Sequence, residues 1–276
     1  MSRDYTAMYT DRQTLTSAYR SSAPLAARQA IYRYQQPPID FLGWALALVP
    51  WHGGERVLDI GCGNGGYLRR LAGRATVLGC DRSRGMLAEL AQQDNGSPRP
   101  LLTVADAMAL PLPDASCDVA LAMHMLYHVP DIPLAVRELR RVLRPGGVLL
   151  AATNSEDDKQ AIEDAFAAAL ALLTGEAATT GAQHLRLSFT MERGAALLQT
   201  AFAQVERHDI TSTLVITDAA ALLAYIDSMR ALREPLLPAG VAWEALMREV
   251  ALRVKATIAA HGAFLARTHA GVFVCR

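Results

Sequence analysis

A chain of 276 residues, with 51% hydrophobic and 20% charged side chains, holds enough apolar mass for one sizeable α/β core with accessory helices or two small domains, and is too apolar to be disordered. Basic and acidic residues balance at 27 each, so no net field draws the chain to nucleic acid or to an acidic membrane, and neither is expected as a partner. Cys62, Cys80, Cys117 and Cys275 form no C-x-x-C pair and no histidines cluster at ligand spacing, which argues against a zinc site or disulfide framework; no metal is expected.

In chain order, the opening MSRDYTAMYTDRQ is polar, without the apolar stretch of a signal peptide, and no run approaches the ~20 apolar residues of a membrane span. A cytoplasmic location is therefore expected. Residues 1–50 read as helical: one helix over 25–36 follows Ser22-Ala23-Pro24 and ends at Pro37-Pro38, and a second over 39–49 closes at Pro50. From Glu55 short apolar runs alternate with helical stretches. Strands are predicted over 56–60, 76–80, 101–104, 118–123 and 147–153, with helices over 65–72, 85–93 and 132–143 between them. This alternation predicts an α/β fold, a parallel sheet with helices on both faces. Further on, helices are predicted over 156–173, 191–202, 218–230 and 241–261, with a small-residue loop at 175–181, a strand over 204–210, and a last strand over 263–275 bulged at Gly271.

The segment from Val57 to Gly66 carries the strongest signal. Gly61, Gly63 and Gly66 satisfy G-x-G-x-x-G between an apolar strand and a helix, as in a dinucleotide site. Asp59 argues against that ligand, because a carboxylate before the turn would repel a pyrophosphate at the helix N-terminus. It suits a ligand with a cationic portion, such as S-adenosylmethionine, which has a sulfonium and an α-amino group but no phosphate. Asp81, about twenty residues past the loop, stands where ribose hydroxyls are held, and is otherwise the cap of the helix near Ser83. Asp106 follows the third strand and could accept from an adenine amine, or simply form a turn.

The stretches VLDIGCGNGGYLRRLA, LGCDRSRGMLAEL, VADAMALPLPDASCDVALAMHMLYHVPD and VRELRRVLRPGGVLL, together about residues 55 to 153, resemble the class I S-adenosylmethionine-dependent methyltransferases, especially the ubiquinone/menaquinone-biosynthesis and natural-product type. The resemblance implies a Rossmann-like, seven-stranded, mostly parallel sheet with an antiparallel last strand and a helical cap. It implies S-adenosyl-L-methionine as cofactor. Asp59, Gly61, Cys62, Gly63, Asn64 and Gly65 would surround its methionine portion, Asp81 its ribose, Arg82 and Met86 its adenosine, and Asp106, Ala107 and Met108 its adenine; Met123 would line the methyl-transfer face. It also implies a division into lid helices (1–50), cofactor core (51–154), helical cap (155–190), core helix and strand (191–211), second cap (212–262) and last strand (263–276).

The expected activity is methyl transfer to an oxygen, nitrogen or carbon of a small molecule. A nucleic-acid or protein acceptor is the alternative within the class, and a nicotinamide-dependent oxidoreductase or a non-catalytic binding protein the alternatives outside it. His124 and His128, four apart on a helix expected to start near Met123, are the candidate bases, since histidine titrates in the useful range. Tyr19, Arg28 and Tyr32, with Arg33 and Tyr34, are candidate substrate contacts suited to a planar or carboxylate-bearing acceptor. A monomer or homodimer is expected.

Overall fold

The computed structural model describes residues 9–93, 100–175 and 187–276. Most of the expected loop at 175–181 lies outside them. Three helical segments come first: α1 (Arg12–Ala18), α2 (Ala23–Ala30), and, after a two-residue strand β1 (Gln35–Gln36), α3 (Phe41–Leu46). The alternating core follows as β2 (Arg56–Ile60), α4 (Gly66–Leu71), β3 (Thr76–Asp81), α5 (Arg84–Gln92), β4 (Leu101–Val104), β5 (Cys117–Met123), α6 (Ile132–Val142) and β6 (Leu143–Asn154). Then come α7 (Gln160–Thr174), α8 (Gly194–Leu198), β7 (Val205–Ile216), α9 (Ala219–Asp227), α10 (Arg230–Arg233), α11 (Trp243–His261) and β8 (Phe264–Cys275).

Local chemistry accounts for the core helices. Asp131 caps α6 by accepting from Leu134 N, Pro133 sits in its first turn, and Ile132, Ala135, Val136, Leu139 and Val142 make one buried stripe at helical spacing. Ser83 caps α5 through Met86 N, and Met86, Leu87 and Leu90 face inward. The middle strands are apolar on both sides because helices cover both faces: β2 is buried from Val57 to Ile60.

The sheet order is β1-β7-β8-β6-β5-β2-β3-β4. β4, β3, β2, β5 and β6 are parallel, while β8 runs antiparallel between β6 and β7. The expected seven strands are β2 to β8; the eighth is β1, paired with β7 through Gln35 and Gln36. The chain winds outward from β2 to β4 and returns to β5 on β2's other side. That reversal opens a crevice at the carboxyl ends of β2 and β5, where ligands bind in open α/β sheets.

Several local expectations change, among them the helix expected over 25–36, which stops at Ala30 because Gln35 and Gln36 pair with β7. Gly271 stays in register with both Thr153 and Asp209, without a bulge. Its missing side chain instead makes room for Met191, whose Cε would lie 2.3 Å from a Cβ there. The Arg-Pro-Gly-Gly stretch is an irregularity inside β6, where pairing jumps from Cys117↔Leu143 to Val119↔Val148. β7 continues to Ile216 against Phe264, so residues 212–216, expected in a helical cap, are sheet. Among the described residues no helix is long and apolar enough to cross a membrane.

Candidate active site

A cavity of about 1240 Å³ opens over the carboxyl ends of the parallel strands and is roofed by α1, α2 and the segments around α7, α9 and α10. At its core end lies the glycine loop. The loop is tied to β3, since Gly61 N and Cys62 N both donate to Cys80 O, at 2.7 and 3.0 Å. Gly63 N donates to Asp81 Oδ2 at 3.0 Å, and Gly65 N to Cys62 O at 2.8 Å. Gly61 has φ +72°, and a Cβ there would stand 2.8 Å from Met125 Cβ, so only glycine lets β2's loop pass the end of β5.

Asp59 lies beneath this loop, 2% exposed, and its Oδ2 has no hydrogen-bond partner among the described residues. Burial, reinforced by the nearby Asp81 carboxylate, raises its pKa to about 7. Such an acid is only partly ionised near neutral pH, and a cation beside it would favour its charged form. Asp81 accepts from Ser83 N at 2.8 Å as well as from Gly63 N, fulfilling the local turn role while facing the cavity. Asp106 accepts from Met108 N through Oδ1, and its Oδ2 stands 3.9 Å from Arg82 Nε at the rim. Cys62, Asn64, Met86, Ala107 and Met123 line the cavity too. Gly65 and Met108 do not: Gly65 is the left-handed residue before α4, and Met108 packs against the core.

The two histidines are not on one helix. β5 ends at Met123, His124 adopts φ +55°, and a 3₁₀ turn covers Leu126–His128. The strand runs into the crevice and must turn sharply to reach α6, which breaks the i, i+4 relation. His124 is half-buried on the cavity wall beside Phe41, with ring centroids 5.3 Å apart. Burial, then the Lys159 charge, lowers its pKa to about 4.

His128 is engaged at both nitrogens. Nδ1 lies 3.0 Å from Tyr9 O, which can only accept, so Nδ1 carries the proton and Nε2 accepts from Tyr19 Oη at 2.8 Å. Tyr9 stacks on the same ring, and burial lowers the His128 pKa to about 4. Ser83 Oγ donates to Tyr19 O and Ser22 N to Glu89 Oε2, so α5 and His128 together seat the N-terminal segment.

Tyr19, Arg28 and Tyr32 all reach the cavity. Arg28 lies over the Tyr19 ring at 4.8 Å, and its Nη2 is buried without a partner among the described residues. Tyr32 Oη accepts from Lys159 Nζ at 3.1 Å. Arg33 and Tyr34 stack on each other away from the cavity. Tyr9, Lys159, Glu163 and Arg233 were not picked out from the sequence, yet all four line the cavity. Lys159 is 5% exposed, has φ +55°, and is ion-paired with Asp158; its only sequence signal is the scarcity of lysine.

The architecture is that of a Rossmann-like α/β domain with a roofed crevice. Residues 58–151 match the methyltransferase domain family. The chain is 41% identical over 107 residues to 27-O-demethylrifamycin SV methyltransferase of Amycolatopsis mediterranei, covering 37% of this chain and 39% of that protein. It is 38% identical over 158 residues to malonyl-[acyl-carrier protein] O-methyltransferase of Serratia marcescens, covering 56% and 58%. The chain thus spans about half the length, or less, of the curated relatives it matches. Haemonchus contortus phosphoethanolamine N-methyltransferase 2, solved with phosphomonomethylethanolamine and S-adenosylhomocysteine, shares the fold with a TM-score of 0.55 at 19% identity, over 96% of this chain and 59% of that one.

Proposed function

We propose that the protein transfers a methyl group from S-adenosylmethionine to a small-molecule acceptor held in the roofed cavity. The single observation that carries this reading is the unpartnered carboxylate of Asp59 beneath the glycine loop. A cationic nucleoside answers that orphan charge, whereas a diphosphate does not. The loop amides argue the same way: Gly61, Cys62, Gly63 and Gly65 N–H groups are all engaged within the protein, so they offer no ready cradle for a pyrophosphate. The nicotinamide reading therefore fails on two counts.

S-adenosylmethionine supplies an electrophilic methyl on a positively charged sulfur, so the protein's task is alignment and desolvation. Asp59 and the glycine loop would hold the cofactor's methionine portion, Asp81 its ribose, and Asp106 with Ala107 its adenine, with Met86 lining the same part of the cavity. His124 is the group in position to take a proton from the acceptor. Its imidazole is neutral well below pH 7, it faces the cavity, and no hydrogen bond to its ring is formed among the described residues. His128 is a positioning residue, since proton transfer to it would first require displacement of Tyr19.

Residues 9–34 and the segments around α7, α9 and α10 act as the cap that excludes water, which supports a small acceptor rather than a nucleic acid or protein. The balanced charge supports the same choice. Four free, buried cysteines suit a reducing, cytoplasmic setting, and a monomer or homodimer is in keeping with the enclosed site. Titration calorimetry with S-adenosylhomocysteine, and separately with NAD, tests the proposal. Binding of the first and not the second is expected, and Asp81→Ala should weaken it roughly 10- to 100-fold, as loss of a bidentate acceptor does. Binding of NAD alone would end the reading.

A further inference from the structure

The far end of the cavity holds a second set of buried charges that the cofactor would not reach for. Arg233, from α10, is only 4% exposed and lines the cavity. Its Nη2 donates to Glu163 Oε1 at 2.5 Å, and its guanidinium lies 4.9 Å over the Phe166 ring. Its Nε and Nη1 are buried with no hydrogen-bond partner among the described residues. Buried guanidinium donors without acceptors are rare in folded proteins, and at a cavity wall they point to a ligand that carries the acceptor.

The surroundings specify the charge of that ligand. Lys159 is already matched by Asp158, and Arg233 by Glu163. Arg28 has no carboxylate within ion-pair distance among the described residues and keeps a buried, unpartnered Nη2. Tyr9 stands among them, close enough to Arg233, Glu163 and Arg28 for each to bear on its ionisation. Three cations face two carboxylates, leaving one positive charge. That balance suits a monoanion; a phosphate dianion would meet Glu163 and Asp158 with its second charge unanswered.

We infer that Arg233, supported by Arg28 and the Tyr9 hydroxyl, forms an anion subsite that takes a carboxylate on the acceptor and so orients its opposite end toward the glycine loop. The inference rests on the methyl-transfer reading above and narrows it to carboxylate-bearing acceptors. The recognition group lies on a different insertion from Tyr19 and Tyr32, so a correct acceptor bridges the N-terminal helices and α10 and closes the roof on itself.

The test uses two matched pairs of probes, 4-hydroxybenzoate with 4-hydroxybenzamide and octanoate with octanamide, titrated into the full chain with and without S-adenosylhomocysteine. In at least one pair the carboxylate should bind tenfold or more tighter than the amide. Arg233→Gln should reduce that preference to within twofold while leaving S-adenosylhomocysteine affinity within twofold of the unaltered protein. Arg233→Lys, which keeps the charge, should retain part of the preference. Glu163→Gln frees Arg233 from its competing carboxylate and should tighten carboxylate binding several-fold, a gain that mere loosening of the fold does not produce. Equal binding of acid and amide in both pairs, or a preference that survives Arg233→Gln, overturns the subsite. Loss of S-adenosylhomocysteine binding in Arg233→Gln, matching the loss of carboxylate, would reassign Arg233 to the cofactor and equally overturn it. If the unaltered protein binds no S-adenosylhomocysteine, the methyl-transfer reading falls, while the carboxylate preference is still decided by the titrations without the nucleoside.

Discussion

At the glycine-loop end of the cavity, the polar groups come from the ends of successive strands between Asp59 and His128, and neighbouring residues satisfy one another: Cys80 O holds the loop, and Asp81 holds Gly63 and Ser83. At the far end, Tyr9, Tyr32, Lys159, Glu163 and Arg233 come from segments as far apart in sequence as Tyr9 and Arg233 and meet only in the folded roof. The first end is a local device repeated along a sheet, with one deliberate gap at Asp59. The second is an assembly of buried charges with gaps at Arg28 and Arg233. Ligand identity should therefore be robust at the first end and set by a few side chains at the second.

The first expected effect belongs to Asp59. Removing one partner of a buried charge pair costs about 2–5 kcal/mol, so Asp59→Ala should weaken S-adenosylhomocysteine binding by roughly 30-fold or more in calorimetry. The ligand-free protein should respond oppositely. Its Asp59 pKa is raised from 3.8 to about 7, so between those values the native state binds more protons than the unfolded one and loses stability as pH rises. Asp59→Asn should accordingly raise the melting temperature of the ligand-free protein at pH 8. A variant that binds normally, or melts lower at that pH, would show that the cation site lies elsewhere.

The second effect is on proton transfer. With an acceptor that must lose a proton, His124→Ala should lower kcat by about 10²- to 10⁴-fold with cofactor affinity unchanged. Full turnover would remove its role as base.

Next comes the pH dependence of binding. Because Asp59 must be ionised to meet a cation, apparent affinity for S-adenosylhomocysteine should fall toward tenfold per unit as pH drops below about 7, and Asp59→Asn should flatten the profile. A flat profile in the unaltered protein would detach the carboxylate from the ligand.

The smallest effect concerns the roof. His128 has its pKa lowered to about 4 while docked, against 6.5 when free, so docking of the Tyr9–Tyr19 segment should hold above pH 6.5 and weaken as pH falls toward 4. Hydrogen exchange over α1, corrected for intrinsic rates, should rise across that window. Tyr19→Phe, losing one hydrogen bond worth about 1 kcal/mol, should give about a fivefold increase at pH 7.

Much of the core could be read directly. Strands at 56–60 and 101–104 fall where periodicity puts them, and the helix after Asp131 starts at its cap, because each is decided by residues within one turn or one pleat. The helix expected under His124 and His128 failed for the opposite reason. β5 must be bent into the crevice by its parallel neighbours, a constraint no local pattern carries.

The amino-acid order alone determined the alternating α/β plan, the glycine loop with its preceding acid, and the candidate acids at the strand ends, since all of these depend on spacing within short, contiguous segments. Tertiary structure decided which histidine keeps an unengaged ring at the cavity, which one holds the roof, and that Lys159 and Arg233 belong to the site. Those outcomes depend on burial and on charges brought together from distant segments, and neither exists until the roof has packed onto the sheet.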